Sequence, residues 1–174
     1  MKKTAFAPYV VYRVDRRGNR RLYGFVVGSA EWLLLHRLDS EMWVLNGYVA
    51  VRARDIDAAE RSERGSFSGE VVRLKRLRPR RPPRISVSST EELLRTAANA
   101  WPLVSIEREN DDRGVAWIGR PVVLGPREAV LKLIDTTGRW MAGTMTVKLG
   151  SITRIDFGGE YESLLHQLSE RRVK

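Results

Sequence analysis

The stretch LLLHRLDSEMWVLNGYVAVRARDI, residues 33–56, indicates the fold of this chain more clearly than any other. Residues 32–38 (WLLLHRL) form a short apolar run that is typical of a buried strand. Residues 42–53 (MWVLNGYVAVRA) predict a longer strand, in which Asn46-Gly47 forms either a bulge or a second tight turn. The polar segment 39–41 between the two runs predicts a turn. Short strands joined by tight turns are typical of a small antiparallel barrel or sandwich.

The same order of features occurs a second time in the C-terminal half of the chain. A glycine, an apolar strand, a Leu-Asp or Ile-Asp pair, a tryptophan, a long strand and an isoleucine follow one another in both halves. The glycine and the aspartate are 15 residues apart in one copy and 16 in the other, and the glycine and the isoleucine are 32 and 33 apart. We therefore predict two copies of one small barrel. The matched positions are Gly24 and Gly119, Asp39 and Asp135, Trp43 and Trp140, and Ile56 and Ile152.

The segments around these two copies predict further strands and two helices. Residues 9–14 and 22–27 predict a hairpin with arginines around its Gly18-Asn19 turn. Further strands are predicted in the second copy between the two helices. The other predicted elements are a loop at 60–70, an edge strand at 71–77, a helix within 85–101 that Pro102 ends, and a terminal helix at 160–172.

Length and composition limit the class of protein. The chain has 174 residues with 43% hydrophobic and 30% charged side chains, which indicates a globular, soluble protein of one domain or two small ones. No apolar run is long enough to span a bilayer, and the N-terminus lacks the continuous apolar region of a secretory leader. The chain has no cysteine, which excludes a disulfide scaffold and thiolate chemistry, so we expect a cytoplasmic protein.

The positive charge is concentrated in two segments of the chain. Residues 1–22 carry a net charge of +6 and residues 73–84 (RLKRLRPRRPPR) a net charge of +7, whereas residues 23–72 sum to −3 and residues 85–174 to zero. Proline in the second basic segment favours an extended, stiff backbone. We therefore predict a barrel domain at 1–72, a basic linker at 73–84 and a second barrel domain with its helices at 85–174.

An extended basic segment can follow a phosphate backbone, so we predict nucleic-acid binding, with RNA or single strands favoured over duplex. The cations of the linker, of the hairpin and of the rim of the first barrel would contact phosphates. Two other interpretations of the linker stay open, namely a solvated spacer and a segment attracted weakly to anionic lipid. The predicted contact residues are Arg73, Lys75, Arg76, Arg78, Arg80, Arg81 and Arg84, with Arg16, Arg17, Arg20, Arg21, Arg52 and Arg54.

The sequence contains no pattern that predicts catalysis, a metal site or a cofactor. His36 and His166 are the only histidines and are 130 residues apart, and structural roles explain them better than a catalytic pair. Gly158-Gly159 lacks the spacing of a phosphate-binding loop. We therefore predict that the protein is not an enzyme and that it has no catalytic residue, metal or cofactor.

Two sets of residues resemble known families. The segment Val51-Arg52-Ala53-Arg54-Asp55-Ile56 is similar to the second motif of Sm proteins, and the bent strand leading into it resembles the Sm-like, or more broadly SH3-like, small β-barrel. In Sm proteins the turn residues and the motif arginine line a uridine pocket, whereas here Ala53 stands in place of the motif glycine and both motifs lack asparagine. The resemblance therefore implies the barrel, and joining of barrels through exposed edge strands. The C-terminal half, chiefly ITRIDFGGEYE (152–162), resembles a group of short, uncharacterised bacterial proteins and implies no activity.

These observations lead to one fold and two functions of different kinds. The chain is expected to be mainly β, with two Sm/SH3-like antiparallel β-barrels and two accessory α-helices. The first function is non-enzymatic binding of nucleic acid. The alternative is a protein-interaction or oligomerisation module that pairs with a protein partner or a second copy through its edge strands, because neither predicted barrel is basic.

Overall fold

The computed structural model describes residues 11–16, 20–63, 65–112 and 114–172 of the chain. The chain is mainly β in these ranges, as predicted, and its three helices are α1 (Phe67–Leu74), α2 (Thr90–Ala100) and α3 (Glu160–Arg172). None of them is long and apolar enough to cross a membrane. The strands are β1 (Val11–Arg16), β2 (Arg20–Ser29), β3 (Trp32–Asp39), β4 (Val44–Arg52), β5 (Ile56–Arg61), β6 (Val104–Glu107), β7 (Ala116–Leu124), β8 (Glu128–Leu133), β9 (Met145–Lys148) and β10 (Arg154–Phe157).

The ten strands form one continuous sheet rather than two separate ones. Its order is β5-β1-β2-β3-β4-β10-β6-β7-β8-β9, and the neighbouring strands are antiparallel. The two halves of the sequence meet where β4 pairs with β10, with Val51 opposite Arg154 and Tyr48 opposite Phe157. The basic linker therefore divides the sequence into two halves, but the backbone hydrogen bonds of the sheet continue from one half to the other.

The strands pair in the same way in the two halves of the sequence. In each half the fifth strand pairs with the first, and the first four strands pair in chain order. Both halves also have a bulge between the second and third strands and a 3-10 turn between the fourth and fifth. Gly24 and Gly119 occupy the same place, where a Cβ atom would lie 2.6 Å from the carbonyl oxygen of His36 or 2.3 Å from that of Lys132. Close approach of two strands therefore explains the glycine in both copies.

The largest hydrophobic cluster contains residues from both halves. Trp32, Leu34 and Ala50 of the first half pack in it with a larger set from the second half, which includes Leu94 of α2 and Ile155 of β10. Trp32 and Ala50 are fully buried. The two halves therefore share one core, in addition to a smaller cluster that lies within the first half.

The edge strand predicted at 71–77 is wrong, because α1 covers most of this segment and part of the predicted loop. Ser66 caps the helix by accepting a backbone N–H from the first turn at 3.3 Å. Val72 and Leu77 pack against Phe25 and Leu38 of the sheet. A short alternation of apolar and basic residues is compatible with a helix or a strand, and packing against the sheet selects the helix.

The other local predictions agree with the structure where it describes them. β1 and β2 form the predicted hairpin, with Arg16 opposite Arg20, and the Gly18-Asn19 turn lies outside the described residues. Asn46-Gly47 forms a bulge, because these two residues lie opposite the single residue Arg37 between the paired positions of β3 and β4. The two predicted helices correspond to α2 and α3.

Candidate nucleic-acid interface

The basic linker is anchored to the first half of the sheet, and we name residues 73–84 the basic strap. The Nζ of Lys75 donates a hydrogen bond to the carbonyl of Met42 at 3.0 Å. The backbone N–H of Arg80 donates to Nδ1 of His36 at 3.1 Å, and the hydroxyl of Tyr48 donates to the carbonyl of Arg80, also at 3.1 Å. The strap is therefore held at two points along its length.

The cationic side chains of the basic strap face the solvent. All seven are exposed, and within the described part of the chain only Arg73 forms an ion pair, with Glu70 in α1. Arg76 and Arg84 have φ angles of 52° and 58°, a left-handed conformation that is uncommon for residues other than glycine. The strap is thus an irregular, positively charged segment whose backbone is tied to the sheet and whose cations are available to an anionic ligand.

His36 connects the strap to the aromatic residues of the sheet. Its ring stacks on Tyr48 with centroids 4.7 Å apart, and Tyr48 in turn stacks on Phe157 at 5.7 Å. Burial lowers the pKa of His36, and the positive charge of Arg80 lowers it further. The imidazole can accept the Arg80 N–H at Nδ1 only when that nitrogen is deprotonated. The neutral form of His36 therefore holds this part of the strap.

We expect acid to weaken the fold through His36. Because its pKa is lower in the folded chain, the unfolded chain binds more protons below the usual histidine value of about 6.5, and stability falls as the pH decreases through that value. Urea unfolding of the unchanged protein and of His36→Gln at pH 7.5 and 5.5 measures the effect, and the difference between the two proteins isolates His36. His166→Gln serves as the matched histidine control. An equal loss of stability in the unchanged protein and in His36→Gln would contradict the prediction.

The strand β2 and the 3-10 turn before β5 contribute two exposed arginines among the described side chains. Arg21 is 63% exposed and lies 3.5 Å from a carboxylate oxygen of Asp15. Arg54 is exposed, and its Nη2 lies 3.4 Å from the carbonyl oxygen of Gly150. Arg17 and the side chain of Arg20 lie outside the described residues. Arg21 and Arg54 thus remain accessible to a ligand.

Arg16 and Arg52 were predicted to contact nucleic acid, but the structure buries both of them between the two halves. Arg16 is 1% exposed and forms an ion pair with Glu109, and burial lowers its pKa while Glu109 opposes the shift. Arg52 is 4% exposed and donates to the carbonyls of Leu149 and Gly150 at 2.6 and 3.1 Å. Their guanidinium groups bind to groups of the second half and so connect the two halves. The prediction that Arg16 and Arg52 contact nucleic acid is therefore corrected, and both residues are left out of the candidate interface.

A polar cavity that the sequence did not predict lies on the sheet beside α3. Its volume is about 180 Å³. Arg154 lies in its lining and donates to Glu107 at 3.0 Å and to Asp156 at 2.7 Å. Burial alone would lower the pKa of Arg154, but the surrounding carboxylates, with Asp156 first, raise it. Three residues of the lining belong to the segment ITRIDFGGEYE, namely Arg154, Asp156 and Glu162. The many charged residues in this short segment were the feature of the sequence that could have indicated a polar site.

Other kinds of site have little support in the described residues. No three side chains of histidine, cysteine, aspartate or glutamate within these ranges are arranged to hold a metal ion. His36 belongs to the stacked aromatic group, while Nε2 of His166 lies 3.8 Å from Glu170 on α3.

Comparison with known proteins returns no match. No family model, no curated protein and no solved structure is significantly similar to this chain. What this chain binds therefore has to be inferred from the geometry of the strap, the sheet edges and the cavity.

Proposed function

We propose that this protein binds nucleic acid through the basic strap and does not catalyse a reaction on it. The exposure of seven cations on an anchored backbone carries this proposal. Cations that neutralise phosphates release counterions from the nucleic acid, and this release supplies much of the affinity of such complexes. Because the strap is already held against the sheet, it has less conformational entropy to lose on binding than a free linker has.

We propose RNA or single-stranded DNA as the ligand rather than duplex. Beyond Leu74, where α1 ends, the strap is neither the helix nor the two-stranded ribbon that fits the major groove of a duplex. A single strand can follow an irregular basic segment while its bases stack on aromatic side chains. Phe67, at the start of the helix that leads into the strap, is 70% exposed and contacts the ring of Trp43. It offers such a stacking surface.

Fluorescence anisotropy with labelled single-stranded RNA, single-stranded DNA and duplex tests this proposal. We expect the single strands to bind more tightly than the duplex at 50 mM salt, and all three to bind far more weakly at 300 mM. Absence of binding to all three ligands at 50 mM salt would overturn it.

A second candidate function is assembly with further copies of the same chain. The two halves are joined by the fourth strand of the first half, β4, and the fifth strand of the second half, β10. In the repeat, β9 is the counterpart of β4, and β5 is the counterpart of β10. These two counterparts are the end strands of the sheet, and in the described residues each of them pairs with one neighbour only. Strand edges with free backbone groups are templates for another chain. Pairing of β9 with β5 of a second copy would repeat the junction that already joins the two halves.

The repeat predicts the register of this pairing between copies. In the internal junction Ala50 lies opposite Ile155. The equivalent positions are Thr146 on β9 and Ala59 on β5, and both are exposed. The contact joins two different surfaces, so repeated use of it gives a closed ring or an open filament.

Disulfide crosslinking tests this register, because the natural chain has no cysteine. The double variant Ala59→Cys, Thr146→Cys is expected to form a ladder of covalent oligomers on oxidation, visible on a non-reducing gel. Ala58→Cys, Thr146→Cys is the matched control, since a shift of one residue turns the side chain to the other face of the strand. Equal crosslinking of both variants, or a monomer by light scattering at every accessible concentration, would contradict assembly.

The resemblance to Sm-like or SH3-like barrels is part of the same proposal. We propose that each five-stranded half is one small barrel of this type. The strand order within each half, the repeated bulge and the 3-10 turn before the fifth strand support it.

A further inference from the structure

The polar cavity lies where three strands pass beneath the start of α3. Ser105 of β6 pairs with Asp156 of β10 on one side and with Ile118 of β7 on the other. Glu107 pairs in the same way with Arg154. All five residues line the cavity, and three of them, Glu107, Arg154 and Asp156, are charged.

Ser105 contributes a hydroxyl to this lining, and the residue is 5% exposed. A hydroxyl can both donate and accept a hydrogen bond. A ligand in the cavity can therefore pair with it through either kind of group.

The cavity contains charges of both signs. Arg154 lies between the carboxylates of Glu107 and Asp156, and Arg37 lies 3.9 Å from Asp156. Glu162 of α3 also lines the cavity. Burial raises the pKa of Glu162, as does the negative charge of Asp156, while backbone N–H groups at the start of α3 and the positive charge of Arg37 oppose the shift. This carboxylate already accepts from the backbone, and a further hydrogen-bond donor from a ligand would favour its ionised form.

A lining with both carboxylates and arginines suits a neutral ring better than an ion, if the ring has hydrogen-bond donors on one edge and hydrogen-bond acceptors on another. A simple anion would meet three carboxylates, and a simple cation would meet two arginines. Guanine offers N–H donors to a carboxylate on one edge, and O6 and N7 as acceptors for an arginine on another. The volume of about 180 Å³ is below the roughly 300–1,000 Å³ of pockets that hold a whole small molecule, so it suits one base of a longer strand.

Tyr48 connects the cavity with the basic strap. It lines the cavity, and its hydroxyl donates to the carbonyl of Arg80 in the strap at 3.1 Å. A strand whose phosphates contact the strap near Arg80 can therefore place an unstacked base beside Tyr48. Tyr161, which is 49% exposed, provides a further aromatic ring in the lining.

We propose that this cavity binds a single guanine base of a single-stranded nucleic acid whose phosphates lie along the basic strap. The inference rests on the proposed function and adds a base preference to it. Glu162 accepts from the donor edge of the guanine, and Arg37 donates to its acceptor edge.

Anisotropy with two labelled RNA 12-mers tests the inference. One is all uridine, and the other has a single guanine at its centre. We expect the guanine 12-mer to bind about tenfold more tightly, the usual discrimination of one good bidentate contact. Glu162→Gln is expected to remove this preference, so that the two 12-mers bind to the variant with equal affinity. Glu160→Gln is the matched control, because it makes the same charge change on an exposed residue of the same helical turn outside the lining, and it should keep the preference.

The possible failures of the two proposals are distinguishable. Equal binding of both 12-mers by the unchanged protein, with a steep salt dependence, would overturn the guanine site and leave the strap proposal intact. If neither 12-mer binds, the strap proposal fails, and titration with guanosine 5′-monophosphate followed by NMR decides the cavity alone. Shifts of the Ser105 and Glu162 amides with guanosine but not uridine monophosphate would support the site, and their absence would overturn it.

Discussion

Loss of four cations from the basic strap is expected to weaken binding to single-stranded RNA by on the order of 100-fold at 100 mM salt. Each phosphate contact contributes about 0.7 to the slope of log K against log salt on single strands, so the slope should become shallower by about 3. Anisotropy titrations over a series of salt concentrations measure both quantities. The variant replaces exposed arginines without an ion pair in the described structure: Arg76→Gln, Arg78→Gln, Arg81→Gln and Arg84→Gln.

A control of equal charge separates the strap from the overall charge of the protein. Four exposed arginines of the second half are replaced in the same way, so that both variants fall from the natural +10 to +6. We expect this control to retain most of the affinity and of the salt dependence. Equal losses in the two variants would show that net charge, and not the strap, determines binding. The control substitutions are Arg127→Gln, Arg139→Gln, Arg171→Gln and Arg172→Gln.

The second large effect is expected at the junction of the two halves. Glu109→Ala removes the carboxylate that pairs with Arg16, whose side chain is 1% exposed. The remaining guanidinium would be a buried charge without its counterion, a change that typically costs about 3–5 kcal/mol. Urea unfolding at pH 7 measures this loss in the free energy of unfolding.

A double variant distinguishes the unpaired charge from lost packing. Arg16→Met combined with Glu109→Met removes both charges and keeps apolar volume at the site. Exchange of a buried ion pair for apolar side chains is often close to neutral, so we expect the double variant to be more stable than Glu109→Ala. A loss below about 1 kcal/mol in Glu109→Ala would contradict a structural role for the pair.

Local features of the fold were predictable because they depend on residues close together in the chain. The hairpin, the bulge at Asn46-Gly47 and the ends of α2 and α3 follow from turn residues, capping residues and apolar runs. The repeat was visible because Gly24 and Gly119 meet the same requirement, a strand carbonyl too close for a Cβ atom. The helix α1 was missed because its apolar residues are placed by contacts with Phe25 and Leu38, more than 30 residues earlier.

In the candidate sites, too, the features that depend on neighbouring residues were predictable, and those that depend on distant contacts were not. The charge of the basic strap could be counted from the sequence alone, since its residues are consecutive. The burial of Arg16 and Arg52 could not be predicted, because an arginine in a strand is exposed or buried according to the partner that covers it, and here that partner is the other half of the chain.

By itself, the sequence determined the strand-rich composition, the two related halves and the position of the basic segment, because local patterns encode all three. Only the tertiary structure decided that the halves share one sheet and one core, that the segment is an anchored strap, and that a polar cavity lies beside α3. Each of these depends on contacts between residues far apart in the chain, such as Val51 with Arg154 and His36 with Arg80. Which distant strands pair is set by the free energy of the whole packed chain, and no local pattern records it.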